Sequence, residues 1–257
     1  MDTDHLDEIR IVEKETEGSA IENHFNYPLN NASKDSDAFY QIKRSLGVGQ
    51  HVFHNSQKHR IIFVEDITDY CYLSTFKLYF NKHDPQYKDN PIPFTFLPIS
   101  GLKNNPNDMK ETIQKLCELD NNPIVLIDDD RKCDFDQNAT SERFKNANKE
   151  RKEPITILQL SDCDENFKQI EDDFSTNDRK NTLEASKGNL DMAFKTRLLY
   201  GEKDAISGGE DAITEETKNN FLCLFEWIKK ERNNPTIKKE YIKFDYNTLQ
   251  TLLVKGF

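Results

Sequence analysis

A chain of 257 residues is long enough for one large domain or two modest ones with a real hydrophobic core. Only 35% of it is hydrophobic and 32% is charged, so much of the chain must lie in solvated helix faces and loops; no apolar run approaches the ~20 residues that cross a bilayer. The formal net charge of -11 excludes a broad basic surface for nucleic acid but not a local one, because Lys and Arg concentrate at 142–152, 179–203 and 229–239.

The start, MDTDHLDEIR, is acidic and has no apolar stretch of the kind a signal peptide needs. Cys71, Cys117, Cys133, Cys163 and Cys223 show no CxxC and no ligand spacing. They read as reduced packing thiols of a cytoplasmic protein, not as a disulfide frame or a zinc site. His51 and His54 have no Cys or carboxylate nearby at ligand spacing, which weighs against zinc there too.

In chain order, residues 8–13 alternate polar and apolar, as a strand does. After a polar loop, "DAFYQIKRSLGVG" places Phe39, Ile42 and Leu46 on one helical face and stops at Gly47. A polar, His-rich stretch, 48–59, reads as a linker. From residue 60 strands alternate with helices: strand 60–65, helix 67–81, strand 93–100, helix 105–120, strand 123–128, helix 140–151 and strand 155–160. That alternation predicts βαβ units and a parallel sheet. The strands are apolar without period-2 alternation, which predicts burial on both faces. Beyond about residue 175 only helices are expected, at 186–201, 214–230 and 240–254. In the second of these Phe221, Leu224, Phe225 and Ile228 form a stripe that reads as core. No internal repeat is visible.

Ligands of an open parallel sheet collect at the C-terminal ends of its strands, and three strands here put acids at that edge. The run "RIIFVEDITDY" ends in Glu65, with Asp69 one helical turn further on. "PIVLIDDD" ends in Asp128, with Asp130 two residues later. After the fourth strand comes "QIEDDFS", with Glu171, Asp172 and Asp173. Like charges so arranged repel one another, and a cation is the usual compensation. An all-oxygen donor set selects a hard divalent ion, magnesium or manganese. Each piece alone also has a plain structural use, because acids at the start of a helix stabilise it. Their ordered occurrence strand after strand is what points to a shared site.

This constellation resembles the Toprim domain, the metal-binding fold of topoisomerases, primases and several nucleases. The finer resemblance, over about residues 60 to 230, is to the OLD (overcoming lysogenization defect) nucleases. The residues that carry it are "VEDITD" against a motif that reads roughly VEGxTD, "FLPISG", "VLIDDD", "QIEDDFS" and the helix "ETKNNFLCLFEWI". The resemblance implies a Toprim-type parallel β-sheet flanked by helices, with a C-terminal helical subdomain. It implies two metal ions held by Glu65, Asp69, Asp128, Asp130 and Glu171, with Asp172 as the alternative to Glu171. It also implies a lysine beside the scissile phosphate, Lys195 in "MAFKTRLL" or Lys187 in "SKGN". Asp66 stands where the family has glycine. OLD proteins carry an ABC-type ATPase ahead of the Toprim part. There is no GxxxxGK[ST] here, yet "HLDEIRIVEKE" looks like the last piece of such a domain. The expected division is therefore 1–58 as the tail of an ATPase plus linker, 59–178 as the Toprim core and 179–257 as a helical region completing the nuclease.

The expected activity is metal-dependent hydrolysis of phosphodiesters, in DNA rather than RNA, in antiphage defence under an ATPase acting in cis or in trans. No membrane association is expected, and a homo-oligomer stays open. Two alternatives stay open. One is a Toprim-fold regulatory or scaffold subunit of an ATPase complex with little catalysis. The other is a nuclease directed at RNA, including tRNA.

Overall fold

The computed structural model of the chain describes residues 11–15, 18–22, 60–99, 101–120, 122–179, 198 and 213–232. The expected helices at 37–47, 186–201 and 240–254 and the linker 48–59 lie outside these residues, except that Leu198 is helical and buried.

Strands β1 (Ile11–Glu15) and β2 (Gly18–Glu22) form an antiparallel pair with Val12 opposite Ile21. Residues 11–13 of the strand expected at 8–13 thus belong to β1, which continues to Glu15, and its partner was not foreseen. The two residues between the strands, Thr16-Glu17, lack the Asn-Gly type of signal that marks a two-residue hairpin.

The second sheet holds β3 (Arg60–Val64), β4 (Phe94–Pro98), β5 (Ile124–Ile127) and β6 (Thr156–Gln159). All its pairings are parallel and the order is β4-β3-β5-β6. Ile62 lies between Phe96 on one side and Ile124 on the other. Every residue from Ile61 to Val64 and from Ile124 to Ile127 is buried, as continuous apolar runs predict for strands covered on both faces.

Four long helices cover the sheet: α1 (Ile67–His83), α2 (Pro106–Leu119), α3 (Thr140–Lys149) and α4 (Glu215–Glu231). Helix α1 packs with β4 and α4, and α2 packs with α3. Right-handed crossovers require this grouping, since β3 to β4 runs one way along the sheet and β4 to β5 to β6 runs the other. Helix α1 is buried almost all round, from Tyr70 through Lys77, as befits a helix between a sheet and another helix. Phe76 stacks on Phe221 at 3.8 Å between ring centroids, and Phe225 meets Phe94 and Phe96 of β4. The stripe expected on α4 is core: Phe221, Leu224, Phe225 and Ile228 are all buried.

Side chains complete the backbone where the ladder ends. Thr214 caps α4 by accepting from the Thr217 N–H. Buried Asp178 accepts from the Thr214 N–H at 2.9 Å and from its hydroxyl at 2.7 Å. Buried Asn148, at the end of α3, pairs with the Ile155 backbone as a strand would. Its Nδ2 donates to the Ile155 carbonyl at 2.9 Å, and its Oδ1 accepts from the Ile155 N–H at 2.9 Å. Asn148→Ala leaves both buried backbone groups without partners, and about 1–3 kcal/mol of stability should be lost. Urea unfolding checks this: the midpoint should fall with the slope unchanged. An unmoved midpoint would mean that water replaces the amide at no cost.

Candidate functional site

The strand order reverses between β3 and β5, because β3 connects first to β4 on one side and the chain then returns to the other. The crevice at the C-terminal ends of such a pair is where open α/β sheets bind ligands. Glu65 follows the last residue of β3 and Asp128 follows the last residue of β5, so both flank that crevice.

The β3 end is built by local hydrogen bonding. Asp66 caps α1: its Oδ1 accepts from the Thr68 N–H at 2.7 Å and from the Asp69 N–H at 3.3 Å. Asp69 returns the contact through Oδ2, which accepts from the Asp66 N–H at 3.2 Å. Asp66 has φ -142° and ψ -173°, ordinary extended backbone. The turn therefore needs no glycine here, and the aspartate at this position works as a helix cap. The glycine that the backbone does require is Gly101, at φ 74°, in the left-handed region. Nothing lies within 4 Å of where its Cβ would stand, so conformation and not space selects glycine. In that turn the Gly101 N–H reaches the Glu65 carbonyl at 2.9 Å.

The three aspartates after β5 go three ways. Asp128 faces the acids of the crevice. Asp129 is buried and holds Arg131 through two hydrogen bonds of 2.7 Å, which keep its carboxyl below the usual range. Asp130 takes the N–H of Thr140 at 2.7 Å and of Ser141 at 3.0 Å, and so closes the amino end of α3, whose own N-cap is Ala139. Burial pushes Asp130 upward, but the hydrogen bonds from Ser141 and Thr140 outweigh it and hold its pKa low.

The loop after β6 is tied to this edge by the Asp129 N–H, which donates to the Lys168 carbonyl at 2.6 Å. Within the acidic triplet Asp172 binds Arg179 at 2.8 Å and accepts from the N–H groups of Lys168 and Gln169, both at 3.1 Å. Glu171 accepts from its own backbone N–H and faces Asp66 and Asp128 electrostatically. Asp172 thus braces the loop, and Glu171 lies in the field of the crevice carboxylates.

The electrostatics follow from burial and crowding. Glu65 is raised, first by burial, then by Asp66 and Asp130, against hydrogen bonds from the backbone of Asp128 and Leu102. Asp69 is raised well above its usual range by burial, Asp66, Asp128 and Glu65. Asp128 is pushed up to about 8 by burial, Glu65 and Glu171. Glu171 is raised by burial and Asp66, with its own backbone N–H and Arg179 opposing. Four carboxyls at one strand edge therefore each resist ionising. Among the described residues no three His, Cys, Asp or Glu side chains are gathered in a ready ligating arrangement. The donor set still suits a hard divalent ion, being all oxygen and short of positive charge. Holding one would require Glu65, Asp128 and Glu171 to converge. Lys187 and Lys195 lie outside the described residues.

Two side chains to which the sequence reading gave no role belong to the site's surroundings. Asp173 is 0% exposed, its carboxylate oxygens have no hydrogen-bond partner, and burial with Asp172 and Asp128 nearby pushes it up to about 8. Gln159, fully buried at the end of β6, donates Nε2 to the Asp128 carbonyl at 3.3 Å while its Oε1 accepts from Lys145. A glutamine closing the otherwise apolar run "ITILQL" was the available signal. All five cysteines are free thiols, with Cys163, pushed up to about 12 by burial, in hydrogen-bonding reach of Cys223. No helix among the described residues is long and apolar enough to cross a membrane.

No family model matches the chain, and neither the curated proteins nor the solved structures yield a match to it.

Proposed function

We propose that the chain is a Toprim-type nuclease of the OLD kind, hydrolysing phosphodiesters with Mg²⁺ or Mn²⁺ at the β3–β5 crevice. The observation that carries this reading is the placement of Glu65 and Asp128 at the ends of adjacent parallel strands, both resisting ionisation through burial and the charge of neighbouring carboxylates. A divalent ion bound there would supply an activated water and a positive clamp on phosphate oxygens. Glu65, Asp128 and Glu171 would hold such ions. Asp69 keeps Oδ1 free of the cap and would add a donor. Asp130 would bind only at the expense of its hold on α3. Gln159 fixes the backbone of Asp128, and Lys195 or Lys187 would offset charge on the phosphate as it reacts. DNA is the proposed substrate, and an ABC-type ATPase in cis or in trans the proposed controller.

A second reading has its own observation. Asp69, Asp130 and Asp172 each serve as caps or braces, as they would in a Toprim-like scaffold that binds an ATPase without cutting. Nicking of supercoiled plasmid separates the two. Wild type should nick in Mn²⁺ and in Mg²⁺, EDTA should stop it, and the Asp128→Ala, Asp130→Ala double variant should not nick. EDTA-insensitive cutting would end the metal mechanism. A wild type that cuts neither DNA nor RNA even with an ATPase partner would favour the scaffold.

A further inference from the structure

The loop that leaves Asp128 carries a side chain with no structural use. Phe135 is 88% exposed and is the only large hydrophobic residue so exposed among the described residues. The loop around it is nevertheless well ordered. Asp136 accepts from the N–H of Lys132 at 3.2 Å and of Asn138 at 3.1 Å, while its own N–H donates to Cys133 at 3.0 Å. The Gln137 N–H donates to the Phe135 carbonyl at 2.9 Å. Both ends are pinned, one by the Asp129–Arg131 pair and the other by Asp130 on α3. A ring on a fixed turn loses little freedom when it binds something.

We infer that Phe135 is a stacking platform for an unpaired nucleic-acid base, so that the substrate reaches the carboxylate crevice as a single strand. The inference rests on the nuclease reading above. A protein partner needs a contiguous apolar patch, and Phe135 stands alone among polar neighbours. A base needs only one ring face. Asp134 and Asp136 flank Phe135 in the chain, so the contact suits the face of a base and not a phosphate. Exposed Lys103 and Lys132, on the loops leaving β4 and β5, and exposed Lys168, beyond the short helix Leu160–Cys163 that follows β6, would follow the backbone on either side. Bases inside a duplex are already stacked and cannot offer a face.

The test compares wild type, Phe135→Ala and Phe135→Trp. Labelled single-stranded DNA, single-stranded RNA and blunt duplex DNA are titrated by fluorescence anisotropy in Ca²⁺. Hydrolysis of bis(p-nitrophenyl) phosphate in Mn²⁺ is measured alongside. Phe135→Ala should weaken binding of single strands about tenfold, with Phe135→Trp within about twofold of wild type. Duplex binding and hydrolysis of the small diester should not change, and the tighter of the DNA and RNA arms identifies the strand. Single-strand binding by Phe135→Ala equal to wild type would overturn the inference, as would equal losses on duplex and on the small diester. A wild type that hydrolyses the small diester but binds no single strand would remove the stacking role and leave the metal centre standing. Failure in both assays would remove both.

Discussion

Asp128→Asn should lower metal-dependent cleavage by about a hundredfold or more, the size of effect seen when one preorganised electrostatic group is lost from an active site. The same substitution should make the metal-free protein more stable. Both effects have one cause. Asp128 is half-buried, faces Glu65 and Glu171, and is pushed up to about 8, so its ionised form is unfavourable in the folded chain without a counter-ion. The amide keeps the shape and the Gln159 contact to the backbone carbonyl, and it removes the charge. Cleavage rate and thermal midpoint should therefore move in opposite directions. A loss of activity together with a loss of stability would mark Asp128 as a structural residue only.

Metal-free stability should fall as pH rises from about 5 to about 9, by an amount on the order of a few kcal/mol. Glu65, Asp69, Asp128, Glu171 and Asp173 all have folded-state values above their usual ones, with Asp128 and Asp173 at about 8. At intermediate pH the folded chain thus holds protons that the unfolded chain has released. Their contribution is complete below the ordinary carboxylate range and is lost as pH climbs through the raised values. The shifts do not add, because the groups titrate against one another. Saturating Mn²⁺ or Mg²⁺ should flatten the slope, since the ion replaces the protons and stabilises the folded state most at high pH. Thermal unfolding at several pH values, with metal and with EDTA, checks this. A metal-free midpoint that rises with pH would contradict the electrostatic description of the crevice.

The parallel sheet was legible because its two central strands hold unbroken apolar runs and helical segments alternate with the strands. "IIFV" and "IVLI" have no polar position at which a solvated face could begin. The edge that bears the acids was legible for the same reason, since apolar residues give way to carboxylates within one step at Glu65 and at Asp128. The division of labour among those acids was not. Asp130 caps a helix that begins ten residues later, and Asp172 meets Arg179 only once the loop has folded back. Such assignments depend on which backbone ends tertiary packing brings close, and spacing along the chain does not carry that. Asp66 is the converse case. A capping box is a short-range pattern, but here it sits where the resembled motif has glycine. Asp173 lies between an acidic neighbour and Phe174, and nothing in "EDDFS" says which of its carboxylates turns inward.

The measurement that bears most directly on the central claim is calorimetric titration of the metal-free protein with Mn²⁺ near neutral pH, in two buffers of different ionisation enthalpy, for wild type and Asp128→Asn. The raised carboxyls predict that wild type binds the ion and releases protons as it does so, and that the variant binds far more weakly with fewer protons released. Absence of binding by folded wild type, or binding unchanged in the variant, would contradict the assignment of this strand edge as a metal centre.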